Sequence, residues 1–164
     1  MNNKVAVIMG SDSDLPVVQR TMDILRRFGV PYSARVISAH RTPDEAARFA
    51  KSARDEGFGI IIAAAGKAAH LGGVLAAYTT IPVIGLPVKS STMDGLDSLL
   101  SMVQMPKGIP VATVAIDGAE NAGLLAVSIL ALSDSELARE LDEYRVQMTN
   151  EVLEKDKALQ NEIG

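Results

Sequence analysis

Ser38-Ala39-His40-Arg41-Thr42-Pro43 sets an imidazole beside a guanidinium where an apolar run gives way to a helical pattern. The donor fork of Arg41 matches phosphate oxygens, and His40 carries the side chain that titrates nearest neutrality. Thr42 and Pro43 supply a helix cap and the favoured first-turn proline. One group can move protons while its neighbour holds a phosphate, so the pair points to chemistry on a phosphorylated small molecule. Gly10-Ser11-Asp12-Ser13-Asp14 follows the first apolar run. Its glycine permits a tight turn, and its hydroxyls meet the unpaired N–H groups and positive end of a helix start, which makes an anion site. A plain N-cap is the competing account, because Ser and Asp are the favoured cap residues. Carboxylates there would repel phosphate, so Asp14 is assigned to hydrogen bonds from sugar hydroxyls.

A third segment runs Ala64-Ala65-Gly66-Lys67-Ala68-Ala69-His70-Leu71-Gly72-Gly73. Small residues let backbone approach a flat ring, and Gly66, Lys67, Ala68, His70 and Leu71 are its substrate-facing candidates. Lys67 is either a solvated loop cation or the partner of a carboxylate. His70 is either hydrogen-bonded near a helix start or a ligand contact. A fourth segment, Pro87-Val88-Lys89-Ser90-Ser91, leads to Met93-Asp94-Gly95. Its proline and glycine pin a loop able to close over a site.

These segments must be positioned by the apolar runs that precede them. Val5–Met9, Tyr32–Ile37, Ile60–Ala64, Val83–Leu86 and Val111–Ala115 read as strands. Between and after them, Leu15–Phe28, Asp44–Glu56, Ala68–Tyr78, Asp94–Val103 and Ala119–Leu132 read as helices. Strands apolar on both faces and alternating with helices call for a parallel sheet covered on each side. The expectation is a doubly wound, five-stranded parallel sheet in a three-layer α/β sandwich, with ligands beyond the carboxyl ends of the strands. Ser133 to Leu159 reads as a long helix with Leu137, Leu141, Tyr144, Met148 and Val152 on one stripe. The stripe packs either on its own sheet or on a neighbouring subunit. Ala122–Leu132 leaves almost no polar face, which favours subunit contacts.

A chain of 164 residues with 48% apolar content predicts one catalytic domain over 1–164, with 133–164 as a C-terminal helical arm. Sixteen Lys and Arg against twenty Asp and Glu leave a net charge of -4, which lacks the basic surface that nucleic-acid binding needs. The absence of Cys excludes disulfides, thiolate metal sites and a cysteine nucleophile, and two histidines cannot build the usual zinc set. A cytoplasmic, metal-free protein is expected. The N-terminal apolar run is too short for a secretory signal, and the longest apolar stretch is about half of a bilayer span, so no membrane role is expected.

Read together, GSDSD, SAHRTP, AGKAAHLGG, PVIGLPV, DSLLSMVQMPKGIPVAT and NAGLLA resemble the N5-carboxyaminoimidazole ribonucleotide mutases, the PurE-type family of purine synthesis, over nearly the whole chain. The resemblance implies a cofactor-free octamer that moves a carboxylate from an exocyclic nitrogen to ring carbon C4. It implies that Ser11, Asp14 and Arg41 bind substrate, that Ser13 and Ser38 line the phosphate and ribose side, and that His40 is the general acid/base. It also implies loss of carbon dioxide in a closed pocket and recapture of the gas at C4. This chain departs from the family pattern at Lys67, where glycine is usual, at Gly72, where proline is usual, and in a shortened 115–122 stretch. A cation at position 67 resembles instead the aminoimidazole ribonucleotide carboxylases, which fix free carbon dioxide. A non-catalytic module on the same flavodoxin-like sheet is the other alternative. Against it, a phospho-acceptor needs an aspartate where Ala64-Ala65-Gly66 stands, and few aromatics are free to sandwich a flavin.

Overall fold

The computed structural model describes residues 3–163; Met1, Asn2 and Gly164 of the expected 1–164 domain lie outside the described residues. In chain order come β1 (Lys4–Met9), α1 (Leu15–Arg27), β2 (Tyr32–Val36), α2 (Pro43–Ser52), β3 (Phe58–Gly66) and α3 (Leu71–Tyr78). They are followed by β4 (Val83–Val88), α4 (Leu96–Val103), β5 (Ala112–Thr113), α5 (Ala119–Ala131) and α6 (Ser135–Ile163). Short 3-10 turns occupy Asp12–Asp14 and Met93–Gly95.

The strands form one five-stranded sheet in the order β2-β1-β3-β4-β5, and every pairing is parallel. This is the doubly wound sheet expected from the alternation. Its central strands are apolar on both faces because both faces are covered. Ala6 and Ile8 of β1 join Ile61, Ala63 and Ala65 of β3 in a layer with Phe49 of α2, Leu75 of α3 and Met102 of α4. On the other face Thr21 of α1 donates to the Ala119 carbonyl at 2.8 Å, tying α1 to α5. Gly123 is needed there, since a Cβ would stand 2.9 Å from Ile24 Cβ.

Several boundaries differ from the sequence expectation. The third helix begins at Leu71 rather than Ala68: Lys67, at a left-handed φ of 55°, and Ala68 form a turn, and Ala69 and His70 are not helical. The fourth begins at Leu96 rather than Asp94, after Met93, Asp94 and Gly95 at positive φ. The second stops at Ser52, and Gly57 at φ 84° turns the chain into β3. The fifth strand contracts to Ala112–Thr113.

The chain divides into two compact units, one ending at Val127 and the other starting at Ser128. The first holds the whole sheet. In the second, Asp134 accepts hydrogen bonds from the Glu136 and Leu137 backbone N–H groups, both 3.1 Å, and so caps α6. Leu137 is buried and Tyr144 half-buried, but every described residue from Arg145 to Ile163 is exposed. No helix among the described residues is long and apolar enough to cross a membrane.

Candidate active site

The chain passes from β1 to β2 on one side and returns to β3 on the other, so the strand order reverses between β1 and β3. Loops leaving the carboxyl ends on either side of a reversal diverge and open a crevice. A cleft of about 790 Å³ lies there, within the size of small-molecule sites. A second hollow of about 820 Å³ opens at the opposite end of the strands, beside Tyr78, Pro82 and Pro110. Neither histidine lines it.

One side of the cleft is built by the loops after β1 and β2. Ser11 Oγ accepts from the Ser13 N–H at 3.3 Å and from the Ser13 hydroxyl at 2.8 Å, so it caps the 3-10 turn that follows. Asp14, at the N-cap of α1, makes no side-chain cap bond and is buried. Burial raises its carboxyl above the ordinary aspartate range, against the opposing pull of a Ser11 backbone hydrogen bond and the Arg41 charge. A carboxyl group in that setting accepts readily from hydroxyls. Ser38 is fixed by Thr42, whose hydroxyl accepts from the Ser38 N–H at 3.0 Å and donates to the Ser38 carbonyl at 2.9 Å. Thr42 therefore stands at the N-cap position without capping α2; its hydroxyl closes the loop that presents His40 and Arg41. Arg41 spans the two loops, donating to the Gly10 carbonyl at 2.8 Å and to Ser38 Oγ at 3.4 Å. His40 is exposed on the cleft wall, its imidazole open to a ligand.

The other side comes from the loops after β3 and β4. Gly66 passes so near the next strand that a Cβ would meet the Val88 carbonyl at 3.3 Å. Lys67, Ala68 and Leu71 line the cleft with it. His70 does not line the cleft. It stands at the N-cap position of α3, its Nδ1 pairs with the Ser101 carbonyl, and its ring lies over Gly73, where a Cβ would come within 2.0 Å of Nε2. Within this chain the His70 ring is therefore placed at the helix start, against Ser101 and Gly73.

The Pro87–Ser91 segment, expected only as a loop able to close over a site, contributes Lys89, Ser90 and Ser91 to the cleft lining. The strand order supplies the missing fact: β4 pairs with β3, which brings its loop to the crevice. The cleft thus joins three basic side chains (Arg41, Lys67 and Lys89), one imidazole, serine hydroxyls and a single buried carboxyl, over a floor of Val17, Ala65, Leu71 and Val88. Such a lining can grip an anionic, hydroxyl-bearing ring compound and move one proton on it. Among the described residues no group of His, Asp and Glu is arranged to hold a metal ion.

Comparison with known proteins follows the same line. Residues 4–151 match the family described as AIR carboxylase. The chain is 55% identical over 161 residues to the N5-carboxyaminoimidazole ribonucleotide mutase of Thermotoga maritima, covering 98% of this chain and 94% of that protein. It is 54% identical over 160 residues to the phosphoribosylaminoimidazole carboxylase of Candida albicans, covering 98% of this chain but 28% of that longer protein. Among solved structures, Treponema denticola PurE superposes with a TM-score of 0.87 at 29% identity, covering 95% of this chain and 98% of that one.

Proposed function

The chain belongs to the AIR carboxylase family, and from that premise we propose that it converts N5-carboxyaminoimidazole ribonucleotide to 4-carboxy-5-aminoimidazole ribonucleotide in purine synthesis. It is an enzyme of the isomerase type. The observation that carries the reading is the convergence of the His40-Arg41 loop with the Ser11–Asp14 turn in one cleft. Arg41, Ser11, Ser13 and Ser38 take the phosphate and ribose side, and Asp14 accepts from ribose hydroxyls. That grip supplies remote binding energy that orients the ring.

The bond between the exocyclic nitrogen and the carboxyl carbon breaks, releasing carbon dioxide, and the nitrogen takes up a proton from His40. C4 of the resulting aminoimidazole ribonucleotide then attacks the retained gas, and the proton leaving C4 returns to His40. Nothing is oxidised or reduced, and the net change is one carboxylate and one proton exchanged between nitrogen and carbon. The working protein is a homo-oligomer, an octamer, acting in the cytoplasm on a small nucleotide without a cofactor. The exposed stretch of α6 and the exposed apolar positions Leu96, Leu100 and Val103 on α4 support assembly.

Lys67 favours a second reading, a carboxylase that adds free carbon dioxide to aminoimidazole ribonucleotide, since a cation beside the ring could steady an incoming carboxylate. Turnover of unlabelled N5-carboxyaminoimidazole ribonucleotide in labelled bicarbonate separates the two. Product with little label is expected; prompt labelling would replace the mutase with the carboxylase.

A further inference from the structure

The ribonucleotide assigned above carries anions at both ends, a phosphate on the ribose and a carboxylate on the base side. Arg41 serves one end and is held there by its bonds to Gly10 and Ser38. Between the Arg41 loop and the Lys89 loop lie three strand spacings, β2 to β1 to β3 to β4, or about 14 Å. Lys89 therefore stands at the far end of the cleft from the phosphate grip.

Its root is fixed and its head is loose. The Lys89 N–H donates to Asp117 Oδ1 at 2.8 Å, while Nζ reaches Asp94 Oδ1 at 3.3 Å with both side chains mostly exposed, 57% and 88%. An exposed ion pair of this kind is worth little and is readily exchanged. Its partner is also the strained one: Met93, Asp94 and Gly95 are three successive residues at φ 49°, 52° and 92°. Backbone strain of that sort gathers at ligand clamps.

Resting on the functional reading above, we propose that Lys89 is a substrate-binding residue for the carboxylate, its ammonium held by Asp94 in the empty enzyme and transferred to the ligand when the cleft fills. Asp94 is the placeholder and Lys89 the clamp. The exchange gives the enzyme a grip that answers to the migrating group and to no other part of the nucleotide.

The test compares two ligands that differ by that group, aminoimidazole ribonucleotide and its 4-carboxylated form, binding by calorimetry to the wild-type protein, Lys89→Met and Asp94→Asn. Lys89→Met is expected to weaken the carboxylated nucleotide about tenfold or more, the scale of one charged hydrogen bond, and to leave the uncarboxylated one unchanged. Asp94→Asn keeps a residue tolerant of the left-handed backbone and is expected to bind the carboxylated ligand as tightly as wild type or tighter. Equal weakening of both ligands by Lys89→Met, no weakening of either, or loss in Asp94→Asn matching that in Lys89→Met would overturn the assignment. Should wild type bind neither nucleotide, the functional reading itself falls and this assignment with it. Wild-type binding of both with an indifferent Lys89→Met removes the clamp alone.

Discussion

The two ends of the cleft are built differently. Around Arg41 the loops are cross-tied: the guanidinium bridges Gly10 and Ser38 with two of its five donors, leaving the others for a ligand, and Thr42 closes the loop through both the N–H and the carbonyl of Ser38. Around Lys67 and Lys89 the backbone is held in left-handed conformations at Lys67, Met93 and Asp94, and the one ion pair is solvent-exposed. A group that must be gripped identically throughout a reaction, such as a phosphate, gains from a preformed site, because little ordering remains to be done on binding. A group that leaves and returns needs contacts that can be exchanged. On the proposed function, the cross-tied end is assigned to the unchanging part of the substrate and the exchangeable end to the part that moves.

The most severe way to break that comparison is His40→Asn. Loss of the proton-moving group is expected to lower turnover by about 10²–10⁴-fold while substrate affinity stays within about tenfold, read as separate kcat and direct binding measurements. Near-normal turnover would take His40 out of the chemistry. Next in size is Arg41→Ala, for which binding should weaken by about 1.5–3 kcal/mol, the scale of a lost charged hydrogen bond. The melting temperature should fall as well, because the same side chain ties the β1 and β2 loops together; unchanged affinity would move the phosphate elsewhere. The smallest effect sharpens the other end. Lys67→Gly should be more stable than Lys67→Ala by about 1 kcal/mol in denaturant unfolding, since only glycine relieves the φ of 55°. Equal stabilities would mean that the left-handed turn carries no strain.

Much of this arrangement was legible in the residues. Apolar runs such as Ile60-Ile61-Ile62 alternate with segments of helical period, and that combination calls for a parallel sheet covered on both faces, so the layers followed from pattern and spacing. The SAHRTP loop stood out because an adjacent His and Arg at a strand end is distinctive, whereas GSDSD also reads as a plain cap, a role Ser11 does fill. The start of α3 was not: nothing in AGKAAHLGG declares a turn at Lys67-Ala68 or the pairing of His70 with the Ser101 carbonyl, 31 residues away. Thr42 looked like a cap because its position is that of a cap, yet its hydroxyl had a nearer partner in Ser38.

The order of elements, the sheet class, the loops that face a ligand and the family of the chain are properties of local pattern, and the sequence by itself determined them. Which side chains of the Pro87–Ser91 loop reach the cleft, and that the His70 ring lies against Ser101 within this chain, were decided in the tertiary structure. Which strand pairs with which, and which way a ring turns, depend on contacts between residues distant along the chain, and periodicity carries no information about those.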